Sequence, residues 1–376
     1  MISILWLLLQ DGFIYLFIFF LLLFLAIKDI SQEDKNKKNI RLFCGCIALF
    51  LFLSLRWKTG CDWDSYYELF KDINKYKELK DIYHFDYGYL LLNLFVRQLT
   101  DHYTILLLAN SAIVFYCIYT ILKKESTYPS LSLYLFYCTY FLIHFMGGNR
   151  RAVAIVLVIL FIYSFLEKRY LKAFIALFIG FFFHKSAAIA LLCVLIPQKK
   201  PSNIVVLLIL VISLFIGISG IITNLLNVLG SILGLGPTIV DALAFYSNEG
   251  EGAEYGSEVH SFASSIIGFV KRCIVIIYIY IAQKRMVLFN KDLFIINLYL
   301  LSIVIYMAFA DAGVLQVMSV YFAVFDIILF SRFLKGYSIS QKKVVLFFFF
   351  FYGLFQLLNN LSVYPELYIP YKSFNF

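Results

Sequence analysis

Apolar stretches about as long as a bilayer is thick recur along the whole chain, and no other feature restricts its fold as strongly. They lie at 5–27, 42–55, 103–122, 130–146, 151–166, 203–225, 263–283, 293–311, 314–331 and 344–361. A helix needs about 20 apolar residues to cross the hydrocarbon core, and in lipid only helices and closed barrels satisfy every backbone hydrogen bond. The pattern predicts an all-α, polytopic transmembrane helical bundle.

Composition excludes a water-soluble fold. Hydrophobic residues make up 62% of the chain and charged residues 15%, whereas soluble domains carry about 25% charged residues. We therefore predict a single integral membrane domain over residues 1–376. The first apolar run is too long for the hydrophobic part of a signal peptide and has no basic residues before it, so it is predicted to be a retained first helix.

The segment 170–196 carries His184 and Lys185 near its middle, which favours two short spans over one long helix. The chain is then expected to have about 10–12 spans, and the topology with the split, which has twelve crossings, satisfies the positive-inside rule. The cytoplasmic connections are then Lys28–Arg41, Lys123–Lys124, Lys168–Arg169, Lys199–Lys200, Lys284–Arg285 and Arg332–Lys343. Two long segments, at about 56–102 and 224–262, face outward in this topology.

The first outer segment contains two predicted short helices. One face of the first helix is apolar at helical spacing, with Tyr66, Leu69, Phe70, Ile73 and Tyr76. The opposite face is charged, with Lys71, Asp72, Lys75 and Lys80. This pattern is typical of a helix in the membrane interface. The apolar stretch Tyr87–Leu99 is too short to cross, so a re-entrant or interfacial helix is expected there.

Basic residues at the outer boundary are the chain's candidate anion ligands. They are Arg56, Arg97, Arg150, Arg151, His184, Lys185, Lys271 and Arg272. Cations retained against the cytoplasmic preference need a partner, and guanidinium groups match phosphate oxygens in geometry. Arg56, Arg150, Arg151 and Arg272 are therefore predicted to bind a diphosphate. Alternatively, each of these basic side chains contacts lipid headgroups, or pairs with Asp62, Asp64, Asp86 or Asp311, and binds no diphosphate.

Two residues are candidate catalytic bases. An imidazole ordinarily titrates near neutral pH, and the adjacent cation would help to keep His184 unprotonated, so it could accept a proton from a sugar hydroxyl; a structural histidine is the alternative. Asp62, in a Gly-Cys-Asp-Trp-Asp sequence, is the second candidate. Asp64, Tyr66 and Lys185 are predicted substrate contacts, although Asp64 and Glu68 would also suit a solvated helix face.

Several classes of function are excluded by missing motifs. The chain has no GxxxxGK[ST], GxSxG, HExxH or zinc-ligand spacing, which argues against a nucleotide-driven pump, a serine hydrolase and a zinc protease. Its net charge of +9 is explained by membrane topology, so no nucleic-acid partner is predicted. We predict no cofactor and no metal site. The seven cysteines are expected to be free thiols.

Four short motifs, in order, resemble those of EpsG-like, Wzy-type polysaccharide polymerases. They are Arg56-Trp-Lys-Thr-Gly-Cys-Asp62-Trp-Asp-Ser-Tyr66, Asp86-Tyr-Gly-Tyr89, Gly148-Asn-Arg150-Arg151-Ala-Val-Ala154 and Phe183-His184-Lys-Ser186-Ala. The resemblance covers 56 to about 196. Two features depart from the family pattern: Arg150-Arg151 replaces the usual Arg-Gln pair, and Met318 and Ser319 precede Tyr321-Phe322 where an arginine is common.

The resemblance implies a GT-C-like polymerase/ligase architecture and a glycosyltransferase that needs neither metal nor nucleotide sugar. Such an enzyme would move a growing glycan from undecaprenyl diphosphate to a new lipid-linked repeat unit, on the outer face of the inner membrane, with its site toward the periplasm or exterior. The implied partners are the undecaprenyl-diphosphate-linked oligosaccharide, membrane lipid, and the flippase and chain-length regulator of the same pathway. A flippase or transporter of the lipid-linked oligosaccharide and an envelope O-acyltransferase remain alternatives.

Overall fold

The structure is a computed structural model that describes residues 2–32, 34–75, 85–222, 224–225, 262–310 and 313–374. Most of the predicted outer segment 224–262 lies outside these residues, as do Tyr76, Lys80 and Asp311. The chain divides into two compact units, one formed by residues 1–190 with 330–376 and the other by residues 191–329. The prediction of a single membrane domain stays a prediction.

The described part of the chain is helical almost throughout and contains no β-strand, which confirms the all-α prediction. The helices are α1 (Ile2–Gln10), α2 (Phe13–Ser31), α3 (Lys35–Ser54), α4 (Trp63–Asp72), α5 (Tyr87–Leu99), α6 (Tyr103–Glu125), α7 (Pro129–Phe136), α8 (Asn149–Leu166), α9 (Tyr170–Phe183), α10 (Asn203–Ser219), α11 (Phe262–Ala282), α12 (Asn290–Ala308), α13 (Asp326–Leu334), α14 (Ile339–Leu361) and α15 (Pro365–Tyr368).

Shorter helical segments connect them. The π-helix Tyr137–Met146 continues α7, the 3-10 segments are Ile73–Lys75, Lys185–Leu195, Gln283–Arg285 and Val317–Ser319, and single turns lie at Gly313–Gln316 and Val320–Ala323.

Seven described helices are long and apolar enough to cross a membrane, as a multi-pass membrane protein requires. They are Phe13–Ser31, Tyr103–Glu125, Asn149–Leu166, Ala263–Arg285, Asn290–Ala308, Val317–Leu334 and Ile339–Leu361. Three shorter apolar helices accompany them: Tyr170–Phe183, Lys185–Leu195 and Asn203–Ser219. Their outward surfaces are apolar, as a lipid-facing surface must be; on α9, for example, Phe174 and Phe178 are exposed.

Side-chain caps fix several helix starts. The Asp34 carboxylate accepts the N–H groups of Asn36 and Lys37 at the start of α3, and Ser338 with Gln341 forms a capping box at the start of α14. Such caps satisfy backbone donors that have no partner within the helix.

The structure bears on two of the predicted spans. The segment 170–196 breaks at His184, between α9 and the 3-10 segment Lys185–Leu195, so the predicted break is confirmed. That both halves cross the membrane stays a prediction. The first apolar run, predicted as one helix over 5–27, is instead two helices separated at Asp11 and Gly12. The break falls at the charged residue and the glycine that interrupt the apolar run, and glycine is a poor helix former.

Both short helices predicted in the first outer segment are present. In α4, Tyr66, Leu69 and Phe70 are buried against the protein and Lys71 is exposed, so the predicted two-sided helix is present. Its place in the membrane interface stays a prediction. Helix α5 has 13 residues and is too short to span.

The core of the first unit surrounds α7, in which every residue is buried. Helices α2 and α3 pack against α7, and α8 packs against α6 and α9. The start of α8 is thereby held within this unit, which places the residues of the candidate site.

Candidate functional site

The candidate site is built around the N-terminus of α8. The π-helical stretch before it ends at Met146, and Gly147 and Gly148 lead into Asn149, the first residue of α8. A Cβ on Gly147 would lie 2.6 Å from the carbonyl oxygen of Ile143, so only glycine fits this turn. The first turn of α8 contains two arginines and no acidic residue. The helix dipole disfavours cations there and favours an anion.

Arg150 is held in place by groups from two neighbouring elements. Its Nη1 lies 3.0 Å from Oδ2 of Asp86, at the start of α5, and its Nε donates to the hydroxyl of Tyr66 at 3.3 Å. The guanidinium also lies over the Phe85 ring at 4.8 Å from its centre. The Asp86 carboxylate therefore offsets part of the charge of Arg150. Its pairing with Asp86 was the alternative left open by the sequence.

Arg151 differs from its neighbour. It is half-buried, and within the described part of the chain it has neither a hydrogen bond nor an ion pair. Its charge nevertheless acts on Asp62 and His184, because it lowers the pKa of each. Arg151 is thus the arginine of this pair whose donors a ligand could satisfy.

Asp62 lies beside these arginines. A Cβ on Gly148 would be 4.0 Å from Oδ2 of Asp62 and 3.7 Å from the Cβ of Arg151. The residue is exposed to solvent, yet burial by surrounding protein raises the pKa of its carboxyl, while Arg151 and Arg150 lower it. Exposure together with close surroundings is expected of a side chain that lines a concave surface. A carboxylate with a raised pKa is suited to accept a proton.

The backbone conformation at Gly60 brings Asp62 to this position. Gly60 has a φ of 109°, a region that favours glycine. A Cβ there would lie 2.5 Å from the carbonyl oxygen of Met146, so the missing side chain lets the loop approach the end of the π-helix. The loop and the start of α8 are consequently in direct contact.

His184 caps the C-terminal end of α9, where its ring accepts hydrogen bonds. The backbone N–H of Ser186 donates to Nδ1 at 3.3 Å, and the Ser186 hydroxyl lies 2.7 Å from the same atom. In the neutral ring the proton is therefore on Nε2. Burial, and then the charges of Arg151 and Arg150, lower the pKa of His184 to about 3. The imidazole is neutral near pH 7 and presents a donor rather than a base at Nε2.

Lys185 joins the same cluster. Its side chain is exposed, and both its backbone N–H and its charge lower the pKa of Asp86, against the larger effect of burial. Of the predicted substrate contacts, Tyr66 is buried and binds Arg150, whereas Asp64 is exposed on α4. These side chains are placed by the structure, and their substrate contacts stay predictions.

Arg56 lies beneath this cluster. Its side chain is only 1% exposed; Nη1 donates to the carbonyl of Leu53 at 2.5 Å and Nη2 to Oδ1 of Asn149 at 2.7 Å. Asn149 in turn donates to the hydroxyls of Tyr89 and Tyr103. Arg56 therefore contacts the residue that begins α8, and almost none of its surface is open to a ligand.

Arg272 belongs to the second unit, where it lies near the middle of α11. Its guanidinium stacks on Tyr306 at 3.5 Å from the ring centre, and it donates to the carbonyl of Gly268 and the hydroxyl of Ser319. The predicted diphosphate contact of Arg272 stays a prediction.

Sequence reasoning missed three contributors to the site. Asn149 links Arg56 to α8, Ser186 fixes the ring of His184, and Tyr368 contacts the loop that carries Asp62 through Cys61. Asn149 and Ser186 lie within two of the four short motifs described above, and their place in those motifs was the one sequence signal that could have identified them. Among the described residues, no group of three or more His, Cys, Asp and Glu side chains could hold a metal ion.

Comparison with known proteins gives one match. The model of the family described as "EpsG family" matches residues 39–373, nearly the whole chain. No curated protein and no solved structure matches.

Proposed function

The chain belongs to the EpsG family, which supports a general role as a membrane polysaccharide polymerase, and we propose that it moves a growing glycan between lipid carriers. The donor would be a glycan on undecaprenyl diphosphate, and the acceptor a new lipid-linked repeat unit at the outer face of the inner membrane. Neither a metal ion nor a nucleotide sugar takes part in this reaction.

One observation carries the proposal: Arg150, Arg151, Asp62 and His184 gather at the N-terminus of α8. A helix N-terminus with two guanidinium groups suits a diphosphate, because backbone N–H groups and planar donors both face phosphate oxygens. Arg151 supplies the donors that are not already used within the described part of the protein. Arg150, held by Asp86 and Tyr66, supplies further positive charge.

The reaction balances with these residues alone. An acceptor hydroxyl oxygen attacks the anomeric carbon of the donor glycan, the bond from that carbon to the diphosphate oxygen breaks, and undecaprenyl diphosphate leaves with the electron pair. Asp62 takes the hydroxyl proton, as its raised pKa favours. Arg151, Arg150 and the helix dipole stabilise the charge on the leaving group. The Nε2–H of His184 donates to a substrate oxygen.

Arg56 has a positioning role in this scheme. Its buried guanidinium holds the side chain of Asn149, and Asn149 begins α8. It would orient the first turn rather than touch the diphosphate.

Reconstituted protein tests the proposal directly. Wild type, Arg151→Gln and Asp62→Asn are placed in vesicles with lipid-linked repeat units, and chain length is read from labelled glycan on a gel. Arg169→Gln is the matched control, since Arg169 is an exposed arginine that pairs with Glu167 at 3.4 Å. We expect each site variant to lose about a hundredfold or more in rate, and the control to elongate normally.

Two results would contradict the proposal. Normal elongation by Arg151→Gln and Asp62→Asn would reject the site. Movement of the lipid-linked unit across the vesicle membrane without any elongation by wild type would instead identify a transporter.

A further inference from the structure

Residues 365–374, here called the strap, lie along the loop that precedes Asp62. Ser373 and Arg56 form an antiparallel bridge. The N–H of Trp57 donates to the carbonyl of Lys372 at 2.8 Å, and the N–H of Gly60 to that of Leu367 at 2.9 Å. Two of the loop's backbone donors are therefore satisfied by the strap.

Tyr368 fixes the strap to both halves of the candidate site. Its buried hydroxyl donates to the carbonyl of Leu142 at 3.2 Å and lies 3.4 Å from Sγ of Cys61, the residue before Asp62. Leu142 belongs to the π-helix that leads into α8. One hydroxyl group thus contacts the loop of the proposed base and the segment that carries the proposed diphosphate ligands.

Further contacts hold the strap itself. The hydroxyl of Tyr15 donates to the backbone carbonyl of Tyr368 at 2.5 Å. The hydroxyl of Tyr371 donates to the backbone carbonyl of Phe52 at 2.9 Å. The Tyr371 ring stacks on Phe52 with 4.5 Å between ring centres. The strap is consequently anchored to α2 and α3 independently of the loop.

From these contacts we infer that the strap sets the position of Asp62 relative to Arg151, with Tyr368 as the positioning residue. The inference rests on the proposed function, because it assumes that Asp62 is the base. A misplacement of about 1 Å in a reacting group lowers a rate on the order of a hundredfold. Tyr368 need not touch the substrate to control the rate.

Tyr368→Phe isolates this role because it deletes one hydroxyl and little else. The carbonyl of Leu142 keeps the hydrogen bond from the N–H of Gly147 at 2.9 Å, so no buried acceptor is orphaned. Tyr134→Phe is the matched control: its hydroxyl is also buried and donates to a backbone carbonyl, that of Phe349, at 3.1 Å. Tyr134 lies in α7, outside the candidate site.

Two measurements are made on both variants in the full chain. The first is hydrogen exchange of the backbone amides of residues 57–62, which include the Trp57 and Gly60 amides bound by the strap. The second is steady-state elongation of lipid-linked repeat units, with kcat and KM separated. We expect Tyr368→Phe to exchange about tenfold faster over 57–62 and to lose at least about tenfold in kcat with KM nearly unchanged. Tyr134→Phe should match wild type in both.

The outcomes separate this inference from the proposed function. Unchanged exchange over 57–62 in Tyr368→Phe, or equal kcat in the two variants, overturns the positioning role. Faster exchange in Tyr368→Phe together with no elongation by wild type supports the strap contact and rejects the proposed reaction. A rise in KM alone would show that Tyr368 serves binding and would also overturn the inference.

Discussion

Replacing Arg150 by methionine should separate the structural contribution of its ion pair from its contribution to catalysis. Asp86 is 7% exposed, and the side chain of Arg150 is 22% exposed, with 3.0 Å between Nη1 and Oδ2. Breaking a buried pair by removing one partner costs about 3–5 kcal/mol. Because part of the Arg150 side chain faces solvent, we expect the lower end, about 3 kcal/mol in the free energy of unfolding.

This cost should depend on pH in a defined direction. Burial already raises the pKa of Asp86, and Arg150 opposes that effect; without Arg150 the pKa rises further above its unfolded value. A carboxyl whose folded pKa is raised contributes stability below the unfolded pKa and loses it as pH rises through the folded pKa. The Arg150→Met variant should therefore be closest to wild type in acid and weakest at alkaline pH.

The double variant Asp86→Leu/Arg150→Met completes the test. Asp86 precedes α5 but makes no side-chain capping bond, so its removal costs no cap and only the contact with the backbone N–H of Lys185. Replacing both charges by apolar groups should recover most of the stability, measured by denaturant unfolding in detergent micelles. The rate of elongation should stay about a hundredfold low, since the diphosphate still lacks a cation. Recovery of both stability and rate would refute a catalytic role for Arg150, and a stable single variant would refute the ion-pair reasoning.

Three further predictions concern other residues. The pKa of His184 is lowered to about 3 from 6.5, so below pH about 6.5 the unfolded chain binds a proton that the folded ring does not. The free energy of unfolding of wild type should therefore fall, relative to that of His184→Gln, by up to about 1.4 kcal/mol per pH unit. An equal dependence of the two free energies on pH between 7 and 5 would contradict this. Arg56→Met should keep the affinity for undecaprenyl diphosphate within about threefold, because Arg56 is buried; a large loss in a vesicle-binding assay would make Arg56 a ligand. Gly60→Ala should lower stability by at least about 1 kcal/mol and slow elongation, since its Cβ would lie 2.5 Å from the Met146 oxygen; normal unfolding and turnover would show that the loop adapts.

The helices and the break at His184 could be predicted because their causes are local. Apolar length fixes the number of residues that can lie in lipid, and two polar residues inside such a run interrupt it. The break between α1 and α2 was missed because Asp11 and Gly12 form a short interruption in an otherwise continuous apolar run.

The partners within the site could not be predicted, because they come from distant parts of the chain. Arg56 and Arg150 were given the same role from sequence, since both are cations near the outer boundary. In the structure one is buried against Asn149 and the other is paired with Asp86. The strap could not be predicted either, because its hydrogen bonds to the loop join residues about 300 positions apart and leave no periodic signal.

The charge balance of the site explains why an anionic leaving group would suit it. Three cations, Arg150, Arg151 and Lys185, face two carboxylates, Asp62 and Asp86, and the neutral His184 adds no charge. In the proposed reaction, Asp62 would take the proton from the acceptor hydroxyl, which would neutralise one carboxylate and make the site more positive by one charge. At the same step the diphosphate would gain negative charge as its bond to the sugar breaks. Proton transfer to Asp62 and departure of the diphosphate would therefore assist each other, and a neutral leaving group would gain nothing from this arrangement.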